Sequence, residues 1–414
     1  MKSRGASGNG TRADERLRIK SGRLGPLQPY DFEIRPLTVL VGRQGTGKSL
    51  LAQVLYFFRG LPTLVQFDLA GRRADEPLVD DPSAVIRRVL DGLRSARRSF
   101  ATMTEPRVTV EWSGWLSVGS AHSERRELGF NTQHVTRQVQ PRKGLRELVQ
   151  RMTTGVIDQP PTGIFVPSER LLYSMALGTM SWKVLASPLI LDVFAREMET
   201  AERVQDGWPH GKPDTQDGRW VSSRLGEALG GEARRIGATW KWNFPDAGGS
   251  RSIDLDMASS GQRANWPLLL LPQVLFSRRS RGELADRFTL FVEEPEIHLH
   301  PEAQRVVVEV LAFLVRRNFR VVITTHSLNV LYVLNNLLLA SKLPSRKAAD
   351  EVPEEIRLDP GLVAAYHLQL DGAVQPLHSD AGEGLDERAL GAAVDDLAAQ
   401  MNRMSALVGR GRSR

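Results

Sequence analysis

The chain has 414 residues, 41% of them hydrophobic and 25% charged, enough for one large domain or two smaller ones around a real core. It contains no cysteine, which excludes disulfides and thiolate zinc sites, and no apolar run long enough to span a bilayer. The net charge of +7 suits a nucleic-acid partner and a plain solvated basic surface equally.

Residues 1–16 are polar and glycine-rich and read as a disordered basic tail. They lack the apolar stretch of a secretion signal, so cytoplasmic residence is expected. "LTVLV" (37–41) is a continuous apolar run ending in glycine, as a buried parallel strand does. "SLLAQVLYFFRGL" (49–61) follows as an apolar helix with a glycine stop. From about 62 to 250 the patterns mix. A helix is expected at 82–100, a strand pair turning at Ser113–Gly114, a short strand in "TGIFVPSER" (162–170), a helix at 188–205 and a loop at 207–218. Order returns after 250 with a strand, a small-residue turn and a helix containing the buried run "PLLLLPQVLF" (267–276). "FTLFVEE", "PEAQRVVVEVLAFLVRR", "RVVITTH" and "SLNVLYVLNNLLLASKL" then alternate strand and helix, which implies a mainly parallel sheet. Residues 386–408 have the spacing of an amphipathic helix, with Leu390, Val394, Leu397, Met401, Met404 and Val408 on one face.

Four stretches carry chemistry. "GRQGTGKS" (Gly42, Arg43, Gln44, Gly45, Thr46, Gly47, Lys48, Ser49) lies between strand and helix and fits G-x-x-x-x-G-K-[ST]. Its glycines let backbone N–H groups turn inward on a polyphosphate, Lys48 reaches the β- and γ-phosphates, and the Ser49 hydroxyl suits Mg²⁺. "FTLFVEEPEIHLHP" (288–301) sets Glu293 and Glu294 at a strand end, where like charges repel unless a metal and a lysine offset them. Beside a phosphate loop, Glu293 suits the metal and Glu294 the attacking water, and Pro295 ends the strand pairing. "MASSGQRANW" (257–266) puts Ser259, Ser260, Gly261 and Gln262 at a helix start, another place for an anion. "VVITTHS" (321–327) delivers His326 from a buried strand toward a γ-phosphate or the water.

In this order the four resemble the head of an ABC-type ATPase: Walker A, signature, Walker B and switch histidine. "LTVLVGRQGTGKSLLA", "IFVPSER", "SSGQ", "FVEEPEIHLHP" and "ITTHSLNVLYVLNNLL" are more closely similar to bacterial AAA-type ATPases. Those include the OLD (overcoming lysogenization defect) ATPase domains and the ATPase subunits of phage-defence pairs such as Septu and PARIS. The resemblance covers about 30–72, 162–175 and 250–340. It implies an α/β P-loop NTPase of the ABC/SMC head type, a mainly parallel sheet flanked by helices, with ATP and Mg²⁺ as its ligands. Glu294 and His326 would be catalytic. Gly42 to Ser49 and Ser259 to Gln262 would hold nucleotide, and Ser49 and Glu293 the metal.

The expected organisation is a tail (1–16), a first part of the head (17–72), an inserted α+β/helical region (73–250), a second part of the head (251–378) and a terminal amphipathic helix with a basic tail (379–414). The resemblance implies a homodimer or higher homo-oligomer through the heads, with Ser260 of one subunit facing the Walker A loop of the other. It also implies a separate nuclease or toxin effector subunit. A RecF- or SMC-like role on DNA is the alternative, although no sustained heptads separate Lys48 from Ser259. Three departures stand out: the signature is Ser-Ser-Gly-Gln, the metal position is Glu293 and not aspartate, and no Q-loop glutamine is evident, with Gln66, Gln138 and Gln140 as candidates. Arg170 reads equally as a group aimed at the nucleotide or a partner and as half of a surface salt bridge. His298 and His300 fit the D-loop better than a metal pair, with His300 facing a dimer interface.

Overall fold

A computed structural model describes residues 15–70, 81–93, 107–117, 123–132, 139–154, 160–176, 189–237, 239–245, 251–343, 351–378 and 384–387, with isolated positions from 391 to 404. The chain opens with β1 (Arg16–Ser21), β2 (Tyr30–Glu33), β3 (Leu37–Val41), α1 (Lys48–Arg59), α2 (Leu61–Ala70) and α3 (Pro82–Gly92). Next come β4 (Thr109–Ser117), β5 (Ser123–Thr132), β6 (Val139–Pro141), α4 (Lys143–Thr154), β7 (Gly163–Val166), α5 (Leu171–Ala176) and α6 (Leu189–Asp206). Then follow α7 (Gln216–Ala228), β8 (Glu232–Ile236), β9 (Thr239–Phe244), β10 (Arg251–Asp254), α8 (Ser260–Ser280) and β11 (Thr289–Glu293). The last are α9 (Pro301–Arg316), β12 (Arg320–Thr325), α10 (Leu328–Lys342), β13 (Val363–Leu368) and β14 (Val374–Pro376).

The main sheet has the order β14-β13-β3-β12-β11-β7, parallel except for β14. Its central strands are buried on both faces, which is why they read as unbroken apolar runs. Val39, Val41, Leu290 and Val292 enter the core beneath α8, α9 and α10. Leu40 and Phe291 enter a second core with α1 and the antiparallel sheet β2-β1-β4-β5-β6. A third sheet, β10-β9-β8, packs near α7 and α8. This is the expected P-loop architecture, a parallel-rich sheet between helical layers. Its edge strand β7 comes from the middle of the 73–250 stretch. Among the described residues no single helix is long and apolar enough to cross a membrane.

Helix α8 carries Pro267 and Pro272 in its interior. Each removes a helical hydrogen bond, and burial of every residue from Ala264 to Arg278 offsets that loss. Three expectations need correction. Ser113–Gly114 is no turn, because β4 runs straight through it with Gly114 opposite Arg126. A side chain on Gly114 would collide with the Trp112 ring and Glu15, so glycine is there for packing. The loop at 207–218 ends early, at Thr215, whose hydroxyl accepts from the Gly218 N–H at 3.1 Å and starts α7. Glu15 and Arg16 do not belong to a loose tail: Glu15 is 1% exposed and Arg16 begins β1. Most of the terminal helix expected at 386–408 lies outside the described residues, as do 1–14; of its apolar face, Met401 and Met404 are described and both are exposed.

Glu15 anchors a buried ionic cluster behind the sheet. Its carboxylate accepts from Arg59 through both oxygens, from Trp112 Nε1 at 2.8 Å and from Arg320 at 3.0 Å. Arg59, at the end of α1, also donates to Thr289 Oγ1 at 2.7 Å, at the start of β11. One carboxylate thus fixes the amino ends of β11 and β12 to the far end of α1, at the opposite end of those strands from the motifs.

Candidate active site

The carboxyl ends of β3, β12 and β11 lie side by side, with Val41 opposite Thr325 and Thr324 opposite Glu293. The motif residues follow each of these positions, so the sheet register brings together three segments far apart in sequence.

After β3 the loop turns through Gly42, Gly45 and Gly47, all at positive φ, the last two at +81° and +91°. A side chain at Gly42 would run into the carbonyl of Leu368 on β13. No side chain caps α1, whose N-cap is Gly47, so the first-turn N–H groups face the loop's hollow. Thr46 Oγ1 donates to the Arg43 carbonyl at 2.8 Å and tightens the loop. Lys48 is 6% exposed and folds back, with Nζ donating to the carbonyls of Gly42 and Arg43 at 2.7 Å each. Burial pulls its ammonium below the usual lysine range, while Glu294, Glu296 and Glu293 pull the other way.

Glu293 is buried at the end of β11, and its Oε2 accepts from the Ser168 N–H at 3.2 Å, just past the end of β7. Glu294 has φ +45°, a left-handed backbone unusual for a side chain of this size. Its N–H donates to the Thr324 carbonyl at 2.9 Å. Glu296, which sequence reasoning missed, is buried and accepts from Thr325 Oγ1 at 2.6 Å and from the His326 N–H at 3.1 Å. Its Oε2 is buried without a hydrogen-bond partner. His326 Nδ1 lies 3.6 Å from an oxygen of both Glu294 and Glu296. One glycine-rich loop, one lysine, three carboxylates and a histidine therefore share the sheet edge.

Ser259 and Ser260 are exposed at the start of α8. Ser259 and Gln262 form a reciprocal cap: the Ser259 hydroxyl accepts from the Gln262 N–H at 3.2 Å and Gln262 Oε1 from the Ser259 N–H at 3.1 Å. Gly261 packs on the turn after Glu294, where an added Cβ would lie 2.6 Å from the His298 carbonyl. Beside this helix start, α5 presents Leu172 and Met175, 42% and 55% exposed, and the turn before α8 presents Met257, 75% exposed.

Arg170 is no surface residue. It is fully buried, and its guanidinium donates to backbone carbonyls and to Asn265. Burial brings it down to about 10, against the pull of Glu296, Glu294, Glu293 and Glu169. Gln66 lies on α2 and Gln140 on β6 of the second sheet, neither at the site's edge of the main sheet, and Gln138 is outside the described residues. The strand end next to Glu293 instead presents Ser168. His367, also missed, lies near the end of β13 opposite Val41, where burial and then the Lys48 charge hold it below the ordinary histidine value. No periodicity or motif marks it. His298 and His300 are exposed, and among the described residues no group of three histidine or acidic side chains has metal-binding geometry.

Residues 227–331 match the family model of the AAA ATPase domain, a stretch that includes the α8 start, Glu293, Glu294 and His326. No curated protein matches the chain. Among solved structures, the chain is similar to the SMC head domain from Thermotoga maritima, with 15% identity, a TM-score of 0.40, and coverage of 89% of this chain and 100% of that one. It is similar to an Smc head bound to the C-winged helix domain of ScpA at 12% identity and a TM-score of 0.41, covering 87% and 95%. A third is the Smc head domain with an extended coiled coil bound to the C-terminal domain of ScpA, derived from Pyrococcus furiosus, at 12% identity and a TM-score of 0.38, covering 87% and 94%.

Proposed function

We propose that the chain binds and hydrolyses ATP as an ABC-type head, and that nucleotide joins two heads into a dimer that switches a separate effector, in defence against phage. The observation that carries the hydrolytic part is the adjacency of the Gly42–Ser49 loop to Glu293, Glu294 and His326 on neighbouring parallel strands. The loop fits a polyphosphate: its three glycines take positive φ, which lets the backbone curl, and the first turn of α1 lacks a side-chain cap.

In this reading Lys48 exchanges the Gly42 and Arg43 carbonyls for phosphate oxygens. Ser49 and Glu293 hold Mg²⁺, which neutralises phosphate charge when bound. Glu294 orients and deprotonates the attacking water, and His326, steadied by Glu296 through its backbone N–H, donates toward the γ-phosphate or the water. Ser259 is engaged in its cap with Gln262, and Ser260, exposed beside it, is the group placed to complete the site of a second subunit. The apolar side chains Leu172, Met175 and Met257 around them suit a face that becomes covered.

The RecF- or SMC-like reading, in which the head acts on DNA, draws on the +7 net charge and on a cleft of about 490 Å³ lined by Arg16, Arg18, Lys20 and Arg142. Arg16 and Arg18 share Asp31, and Lys20 and Arg142 share Glu111, so two of those four positive charges are offset and two are not. The resemblance of the motifs to the ATPase subunits of phage-defence pairs favours the effector reading. Phosphate release from ATP with Mg²⁺, measured alone and with the product of any adjacent nuclease gene, tests both parts. Turnover is expected in the chain alone. Its absence in both samples would remove the hydrolase reading, and steeply salt-dependent DNA binding without any effector would favour the alternative.

A further inference from the structure

We propose that Arg170, with Asn265, is a positioning residue for hydrolysis: it locks the Glu294 backbone to the first turns of α8 so that the aim of Glu294 is set there. This rests on the ATPase reading.

Arg170 ends the short turn after β7 and is 0% exposed. All five of its N–H groups have acceptors. Nε donates to the Ala264 carbonyl at 3.0 Å. Nη1 donates to the carbonyls of Glu293 at 2.9 Å and Pro167 at 3.3 Å. Nη2 donates to the Glu294 carbonyl at 2.9 Å and to Asn265 Oδ1 at 3.1 Å. Burying a cation is expensive, and none of these partners is a carboxylate. An apolar side chain would fill the space without that cost but could not hold carbonyls of three segments at once.

Asn265, also 0% exposed, extends the grip. Its Nδ2 donates to the Gly261 carbonyl at 3.0 Å and to the Ile297 carbonyl at 2.9 Å. The start of α8 and the turn 293–297 are thereby joined through two side chains, and Gly261 leaves no slack because it abuts the His298 carbonyl. Between these ties Glu294 keeps its left-handed backbone, held at N–H by Thr324 and at C=O by Arg170 and by the Ile297 N–H at 3.1 Å. A strained residue of this kind persists where its surroundings over-determine it. Loss of the arginine leaves the carbonyl to the local turn alone, which loosens the backbone and the aim of the carboxylate. Arg170 makes no hydrogen bond to the Gly42–Ser49 loop, so nucleotide affinity is a separate quantity.

The test is Arg170→Lys, which keeps the charge but offers three donors in place of a planar fork, together with Asn265→Ala, which leaves the arginine in place. ATP affinity by calorimetry, steady-state turnover and thermal melting are measured on the full chain. Expected for both variants is a fall in kcat of about 10- to 100-fold, as for a small misplacement of a reacting group, with ATP affinity within about threefold of wild type. Wild-type turnover in the variants would overturn the proposal. So would loss of affinity and turnover together, in step with the melting temperature, which is what a simple core plug predicts. If Arg170→Lys does not fold, Asn265→Ala decides by the same criteria. A wild type that binds ATP but never turns it over would instead refute the hydrolase reading, and the proposal with it.

Discussion

His326 Nδ1 stands 3.6 Å from Glu294 Oε1, although 32 positions of sequence and a whole helix separate the two residues. The parallel pairing of β11 with β12 sets that distance, since it places Glu293 opposite Thr324 and so brings the next residues of each strand to the same edge. The first tests concern this edge and the loop beside it.

Lys48→Ala removes the main fixed positive charge of the loop. ATP affinity should fall by about 10- to 100-fold, the range for a hydrogen bond to a charged group. Calorimetry on the purified variant checks this, and wild-type affinity would remove the phosphate-loop assignment.

Glu294→Gln keeps the shape of the side chain but cannot take a proton from water. Turnover should drop by about 100-fold or more while ATP stays bound. Trapped ATP should also raise the dimer fraction in light scattering. Full turnover would mean that Glu294 is not the base.

Ser260→Arg should leave ATP binding nearly intact and abolish both dimerisation and hydrolysis, because in the proposed dimer Ser260 serves the site of the other subunit. Mixing it with Lys48→Ala protein yields dimers in which one composite site carries both defects and the other neither, so some activity should return. Met257→Glu, on the adjoining apolar face, should weaken association without changing the affinity of a single head for ATP. Normal ATP-driven dimers in Ser260→Arg would reduce the Ser-Ser-Gly-Gln turn to a helix cap.

Glu15→Gln addresses stability and not chemistry. Burial pushes this carboxyl up, but Arg59 and Arg320, with hydrogen bonds from Arg59 and Trp112, bring it below its ordinary value. Its contribution is therefore present above the unfolded-state pKa and is lost as pH falls through the lower folded value. Near neutral pH the substitution leaves two arginines poorly compensated, and a loss of about 3–5 kcal/mol is expected by urea unfolding. The gap between variant and wild type should narrow as the solution is acidified past the carboxylate range. A gap independent of pH would mean that the glutamate acts by shape alone.

The parts of the site that were legible in the sequence are contiguous ones. The Gly42–Ser49 loop carries its own turn chemistry, and Glu293–Glu294 announce themselves by following a buried strand. The parts that were not legible are assembled across distance. Arg170 reads equally as a group aimed at the nucleotide or a partner and as half of a surface salt bridge, because nothing near it in sequence reveals five acceptors, three of them supplied by Ala264, Glu293 and Glu294. Glu296 and His367 sit on no recognisable pattern and gain meaning only from the strands beside them. Gly114 reads as a turn in sequence because glycine marks turns and tight packing alike, and only the Trp112 ring tells which applies.

The two edges of the main sheet carry a consequence for crowded solution. On one side β14 is a three-residue stub that ends in Pro376, and on the other β7 is a four-residue strand with every residue buried beside α6. Short, proline-terminated or covered edges give a foreign strand almost nothing to zip onto. This sheet is thus protected against runaway fibre growth and against invasion by extended peptides, and a second copy finds little to pair with at either of its edges.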